Sequence, residues 1–92
     1  MKTIIQIVGC AGPFECSFAG EYILSFDAYA NENGLGVGEL LTTPNPLDAK
    51  RFDNFKAAWE FWKQQSPTVP LRPDGQPNRP LTAFHVSLER FA

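Results

Sequence analysis

The chain has 92 residues, 43% of them hydrophobic and 20% charged, and a net charge of −2. That length supports one modest core, burying little more than ~60% of the unfolded surface, so a single domain over residues 1–92 is expected. The balance of apolar and charged residues excludes overall disorder, the near-neutral charge carries no nucleic-acid signature, and no stretch approaches the ~18 apolar residues that cross a bilayer.

Residues 3–8, Thr-Ile-Ile-Gln-Ile-Val, are β-branched apart from Gln6 and predict a strand. One Lys ahead of so short an apolar run is no export signal, and on that ground Cys10 and Cys16 are expected to be cytosolic thiols. Gly9, Gly12 and Pro13 break the run. Phe14, Cys16 and Phe18 then alternate with Glu15 and Ser17, which predicts a short half-buried strand ending near Gly20.

From Glu21 a longer alternation puts Tyr22, Leu24, Phe26 and Ala28 on one face and Ile23, Ser25, Asp27 and Tyr29 on the other. Asn33-Gly34 suits a hairpin turn, Glu39 to Thr43 reads as the returning strand, and Pro44 and Pro46 end it. The helix signal is Phe55, Ala58, Trp59 and Trp62 at i, i+3, i+4 and i+7, with Asp53 as N-cap and Ser66-Pro67 as stop. Phe61 lies off that stripe, either widening the buried face or exposed for a partner. Pro67, Pro70, Pro73, Pro77 and Pro80 forbid regular structure over residues 66–80 and stiffen that loop, with a turn at Asp74-Gly75. Phe84, Val86 and Leu88 alternate with His85, Ser87 and Glu89 in a last strand. The order predicts an α+β fold: an antiparallel sheet of about four strands packed on one amphipathic helix, with a long Pro-rich loop before the last strand.

No catalytic constellation accompanies these elements. A structural zinc wants about four ligands, and Cys10, Cys16 and His85 fall short, so neither metal nor cofactor is expected. Cys16, in phase with Phe14 and Phe18, reads as a small buried hydrophobe, and a redox pair with Cys10 rests only on nearness in sequence. His85, the sole histidine, falls on the polar phase of its strand, which leaves a Ser or Cys nucleophile without a base. Gly34, Gly36 and Gly38 precede a strand rather than a helix and so do not make a phosphate loop. An enzyme is not expected.

Binding is better supported. The first half is acidic, with Lys2 alone against Glu15, Glu21, Asp27, Glu32, Glu39 and Asp48, and the second half, which holds every other Lys and Arg, is basic. Arg72, Asn78 and Arg79 sit in the stiff loop, where little ordering entropy remains to be lost on association. Lys50 and Arg51 precede the helix, and Asp27 and Glu32 belong to the acidic half. These are the candidate partner-binding residues. The plainer alternatives are that the two arginines pin the loop to acidic neighbours and that the carboxylates are simply solvated.

Two stretches carry a resemblance. Gly20-Glu21-Tyr22-Ile23-Leu24-Ser25-Phe26-Asp27, followed by Ala49-Lys50-Arg51-Phe52 and Ala57-Ala58-Trp59, is the first. Asp74-Gly75-Gln76-Pro77-Asn78-Arg79-Pro80-Leu81-Thr82-Ala83-Phe84 is the second. Together they resemble a family of small phage and prophage proteins, and over nearly its whole length the chain resembles the phage-encoded anti-CRISPR proteins directed against type I-F systems. The resemblance implies a non-enzymatic inhibitor in the host bacterial cytoplasm that binds the crRNA-guided surveillance complex and blocks hybridisation of target DNA. Its implied partners are the backbone and large subunits and the guide RNA phosphates, with no membrane and no free DNA. It supplies no motif of functional residues, so the candidates above stand on the reading of the residues. The competing expectation is a phage structural or regulatory accessory acting through protein–protein contacts.

Overall fold

A computed structural model describes residues 2–10, 17–30, 34 and 36–91. The β-branched N-terminal run becomes a central strand, β1 (Lys2–Cys10), because it can bury side chains on both faces. It pairs antiparallel with β2 (Tyr22–Asp27) on one side and with β4 (Phe84–Phe91) on the other, and β3 (Glu39–Thr43) pairs antiparallel with β2. The sheet order is β3-β2-β1-β4, and the helix α1 (Phe55–Trp62) packs on β1 and β4. The fold is α+β: a four-stranded antiparallel sheet with one helix.

The register decides which side chains meet the helix. Ile5 faces Leu88 and Ile7 faces Val86, all toward α1. Ile5, Ile7, Ile23, Phe52 and Ala58 form the buried core. Each large apolar side chain among them contributes roughly 1.5–3 kcal/mol by leaving water. Beside the core, β2 diverges from β1, and the segment before the helix fills the gap. Thr3 and Phe52 exchange backbone hydrogen bonds of 2.8 Å each, and the Lys50 N–H donates to the Ile23 carbonyl at 2.9 Å.

Several sequence expectations are corrected. Strict alternation would put Ile23 and Phe26 on opposite faces, but a bulge between Ile23 and Ser25 inserts Leu24 as an extra residue. Ile23 is thereby buried in the core while the Phe26 ring meets Phe61 edge-on at 6.3 Å. The strand expected over Phe14 to Gly20 lies partly outside the described residues, and its remainder, Ser17 to Gly20, is a turn that returns the Gly20 N–H to the Ile7 carbonyl. The helix N-cap is Asn54, whose Oδ1 accepts from the Ala57 N–H at 2.8 Å; the neighbouring Asp53 is drawn away into an ion pair with Lys2. The helix ends at Trp62, ahead of Ser66-Pro67.

The buried stripe is also turned about the helix axis. Ala57, Ala58, Phe61 and Trp62 pack toward the core, whereas Phe55 and Trp59 stay 42% and 47% exposed. The cause is tertiary: Phe52, delivered by its pairing with Thr3, offers Phe61 a ring at 4.9 Å, so the helix rotates Phe61 inward. Finally, Cys10 is disulfide-bonded rather than a free thiol. The other cysteine of the chain, Cys16, is outside the described residues. Disulfides persist mainly in oxidising surroundings, so thiol chemistry does not argue for a cytosolic location.

Candidate partner-binding site

Between α1 and a 3-10 turn at Pro80–Ala83, residues 63–79 carry no helix or strand, only an isolated bridge between Leu71 and Pro77. Prolines have no N–H to donate, so the remaining donors must hold this segment. Ser66 and Asn78 do most of that. The Ser66 N–H donates to the Asn78 carbonyl at 2.7 Å, and the Asn78 N–H donates to the Pro70 carbonyl at 2.9 Å. The Asn78 side-chain amide donates to the Val69 carbonyl at 2.8 Å, while the Ser66 hydroxyl accepts from the Val69 N–H at 3.1 Å. Both residues are buried.

Gly36, on the β2–β3 connection, fits against this clamp. A Cβ there would lie 2.6 Å from the Ser66 Oγ and 2.7 Å from the Val69 Cβ, and its φ of +67° already favours glycine. Beyond the clamp the chain closes a small hairpin. Arg72 donates its N–H to the Gln76 carbonyl at 2.8 Å and accepts from the Gly75 N–H at 2.9 Å. Asp74 Oδ1 accepts from the Gln76 N–H at 3.0 Å, which places the expected turn at Asp74-Gly75 with Gly75 at φ +85°.

The result is a backbone-bonded platform carrying exposed cations. The guanidinium groups of Arg72 and Arg79 make no ion pair among the described residues, so the loop is held by its own backbone and by Asn78 instead. Arg72 helps to line a groove of about 440 Å³, together with Gly34, Val69, Leu71, Pro73 and Asn78. Apolar lining beside an exposed cation suits an acidic or acidic-aliphatic surface on a partner.

Of the other candidates only Asn78 reaches that groove; Arg79, Lys50, Arg51 and Asp27 do not line it. Asn78 is a buried strut of the loop. The Lys50 ammonium lies 5.6 Å from the Phe52 ring centre and 5.7 Å from that of Phe61, while the Arg51 guanidinium lies 4.5 Å over Phe91 and donates to the Leu47 carbonyl at 3.3 Å. Asp27 closes the end of β2, accepting from the Tyr29 N–H at 3.0 Å. Glu32 lies outside the described residues. The sequence reading missed Ser66 and Gly36 as parts of the site; a small residue directly before Pro67 and a glycine ahead of the return strand were the signals.

Among the described residues, no group of three His, Cys, Asp or Glu side chains converges as a metal site would need, and no helix is long and apolar enough to cross a membrane. No protein-family model, curated protein or solved structure matches this chain.

Proposed function

We propose that this chain is a non-enzymatic anti-CRISPR inhibitor that binds the type I-F crRNA-guided surveillance complex in the host bacterial cytoplasm and blocks hybridisation of target DNA. The identity of the target rests on the resemblance of the two sequence stretches. The physical observation that supports a binding role is the pre-bonded loop presenting Arg72 and Arg79, whose guanidinium groups make no ion pair among the described residues. A loop already ordered loses little conformational entropy on association, so its cations serve as interface anchors at low cost.

In such a complex, guide–target pairing takes place in a positively charged channel. A domain of this size blocks that channel by occupying space, and needs only a standard contact of about 800 Å² per partner. Arg72 and Arg79 then meet acidic groups of the backbone or large subunits, or guide RNA phosphates. The acidic residues of β2 and β3, Asp27 and Glu39, meet the lysines and arginines of the channel.

The test is a gel shift of labelled target DNA with purified type I-F complex preincubated with this protein. Loss of the shifted DNA together with co-migration of the protein supports blocked hybridisation. Co-migration with DNA still shifted moves the block downstream, to nuclease recruitment. No co-migration removes the inhibitor reading and leaves that of a phage accessory protein.

A further inference from the structure

The two edges of the sheet are unequal. β3 is five residues long and runs into Pro44 and Pro46, a usual way of blunting an edge. β4 has eight residues, no proline and no inserted residue. The directions of its backbone groups follow from bonds on the far side of β1. Thr3 bonds to Phe52, and Ile7 to Glu21 and Gly20, so the N–H and C=O groups of Thr3 and Ile7 face away from β4. By antiparallel alternation their partners on β4, Arg90 and Val86, point their own backbone groups outward, as does Leu88 between them. Phe84 is in the same phase, and its outward carbonyl is already taken by the Trp62 indole N–H at 3.2 Å.

The helix lies along the seam beside this edge. Trp62 reaches the start of β4, and the Arg90 guanidinium lies 5.7 Å over Phe55 at its end, so α1 runs antiparallel to β4 with Phe55, Trp59 and Trp62 along the β4 side. The exposed Phe55 and Trp59 therefore border this edge strand, which has no outer neighbour among the described residues.

We propose that β4 pairs with β4 of a second copy of this chain, joining two sheets into one. One register pairs the outward groups of Val86, Leu88 and Arg90 entirely among themselves: Leu88 opposite its own copy, and Val86 opposite the partner copy's Arg90 on both sides of the axis. In that register no like charges oppose each other, because Glu89 faces Ser87 and Arg90 faces Val86. The two-fold axis stands perpendicular to the sheet, which keeps both helices on one face. With strands spaced ~4.8 Å apart and each helix over the β1–β4 seam, the helices lie about 10 Å apart, the distance of directly packed helices. Trp59 falls near the axis, against its copy, and its exposed ring is thereby covered.

The test uses the intact chain alone, so its failure is separate from failure of the inhibitor reading. Sedimentation velocity over a concentration series is expected to show the apparent mass rising from 10.2 kDa toward double that value. Amide exchange followed by NMR gives the register: Val86, Leu88 and Arg90 become protected only as the mass rises, while Ser87 and Glu89, bonded to β1, are protected throughout. Trp59→Lys, at an exposed position, is expected to return the mass to that of a single chain with β1 protection unchanged. A single-chain mass at every concentration overturns the proposal. So does a dimer in which the Val86, Leu88 and Arg90 amides stay unprotected.

Discussion

The side-chain amide of Asn78 donates to the backbone carbonyl of Val69 across 2.8 Å, bracing one limb of the proline-rich segment against the other. Asn78→Ala removes that strut and leaves a part-buried carbonyl without its donor. A loss of about 1–3 kcal/mol in urea denaturation is expected. Because the same strut orders the segment carrying Arg72, target binding is expected to weaken as well, although Asn78 itself is buried.

Gly36 and Gly75 both have positive φ, and their surroundings separate two costs. At Gly36 a methyl group meets Ser66 and Val69 at under 3 Å, whereas at Gly75 it meets nothing within 4 Å. Gly75→Ala is expected to cost about 1 kcal/mol, from backbone conformation alone. Gly36→Ala adds the displacement of the clamp, for ~2 kcal/mol or more. Thermal unfolding of the two variants side by side checks this ranking, and equal losses would mean that Gly36 is not packed against the loop.

Arg72 and Arg79 are exposed and make no ion pair among the described residues. The double substitution Arg72→Glu and Arg79→Glu is therefore expected to leave the thermal midpoint nearly unchanged. Inhibition of DNA binding by the surveillance complex should fall by ~30-fold or more, the effect of removing an interface anchor worth about 2 kcal/mol. Full inhibition by the double variant would move the contact surface away from this loop.

The hydrogen bond and the positive charge of Lys2 hold the Asp53 carboxyl below its ordinary value of 3.8. A carboxylate whose pKa is depressed on folding stabilises the fold above its unfolded pKa, and that contribution disappears as the pH falls through the lowered value. The difference in urea midpoint between the native chain and Lys2→Met is accordingly expected to be small and constant from neutral pH down to about 3.8, then to close at more acid pH. Both groups are well exposed, so added salt should close the same gap at neutral pH.

Local chemistry was enough to specify the four paired strands and the helix of this protein, though it also suggested a strand ending near Gly20 where Ser17 to Gly20 form a turn. β-branching marks β1, alternation marks β4, apolar spacing marks the helix, and Pro44 marks the end of β3. The presence of cations on a proline-rich segment was likewise legible, since prolines at that spacing leave no room for a helix interior or a central strand. Which faces those elements turn inward was decided only by tertiary contact. Leu24 is bulged out so that Ile23 and Phe26 reach the same core, and the pairing of Phe52 with Thr3 rotates Phe61 inward and leaves Phe55 and Trp59 outside. Periodicity defines a face up to a rotation or a one-residue slip, and the partner surface chooses among these. The same holds within the loop. Arg72 and Asn78 look alike as polar residues among prolines, yet one N–H of the Asn78 amide meets the Val69 carbonyl and makes it a strut, while the Arg72 guanidinium meets no acidic partner among the described residues. Hydrogen bonds between residues distant along the chain separate the residue that builds the site from the residue the site presents.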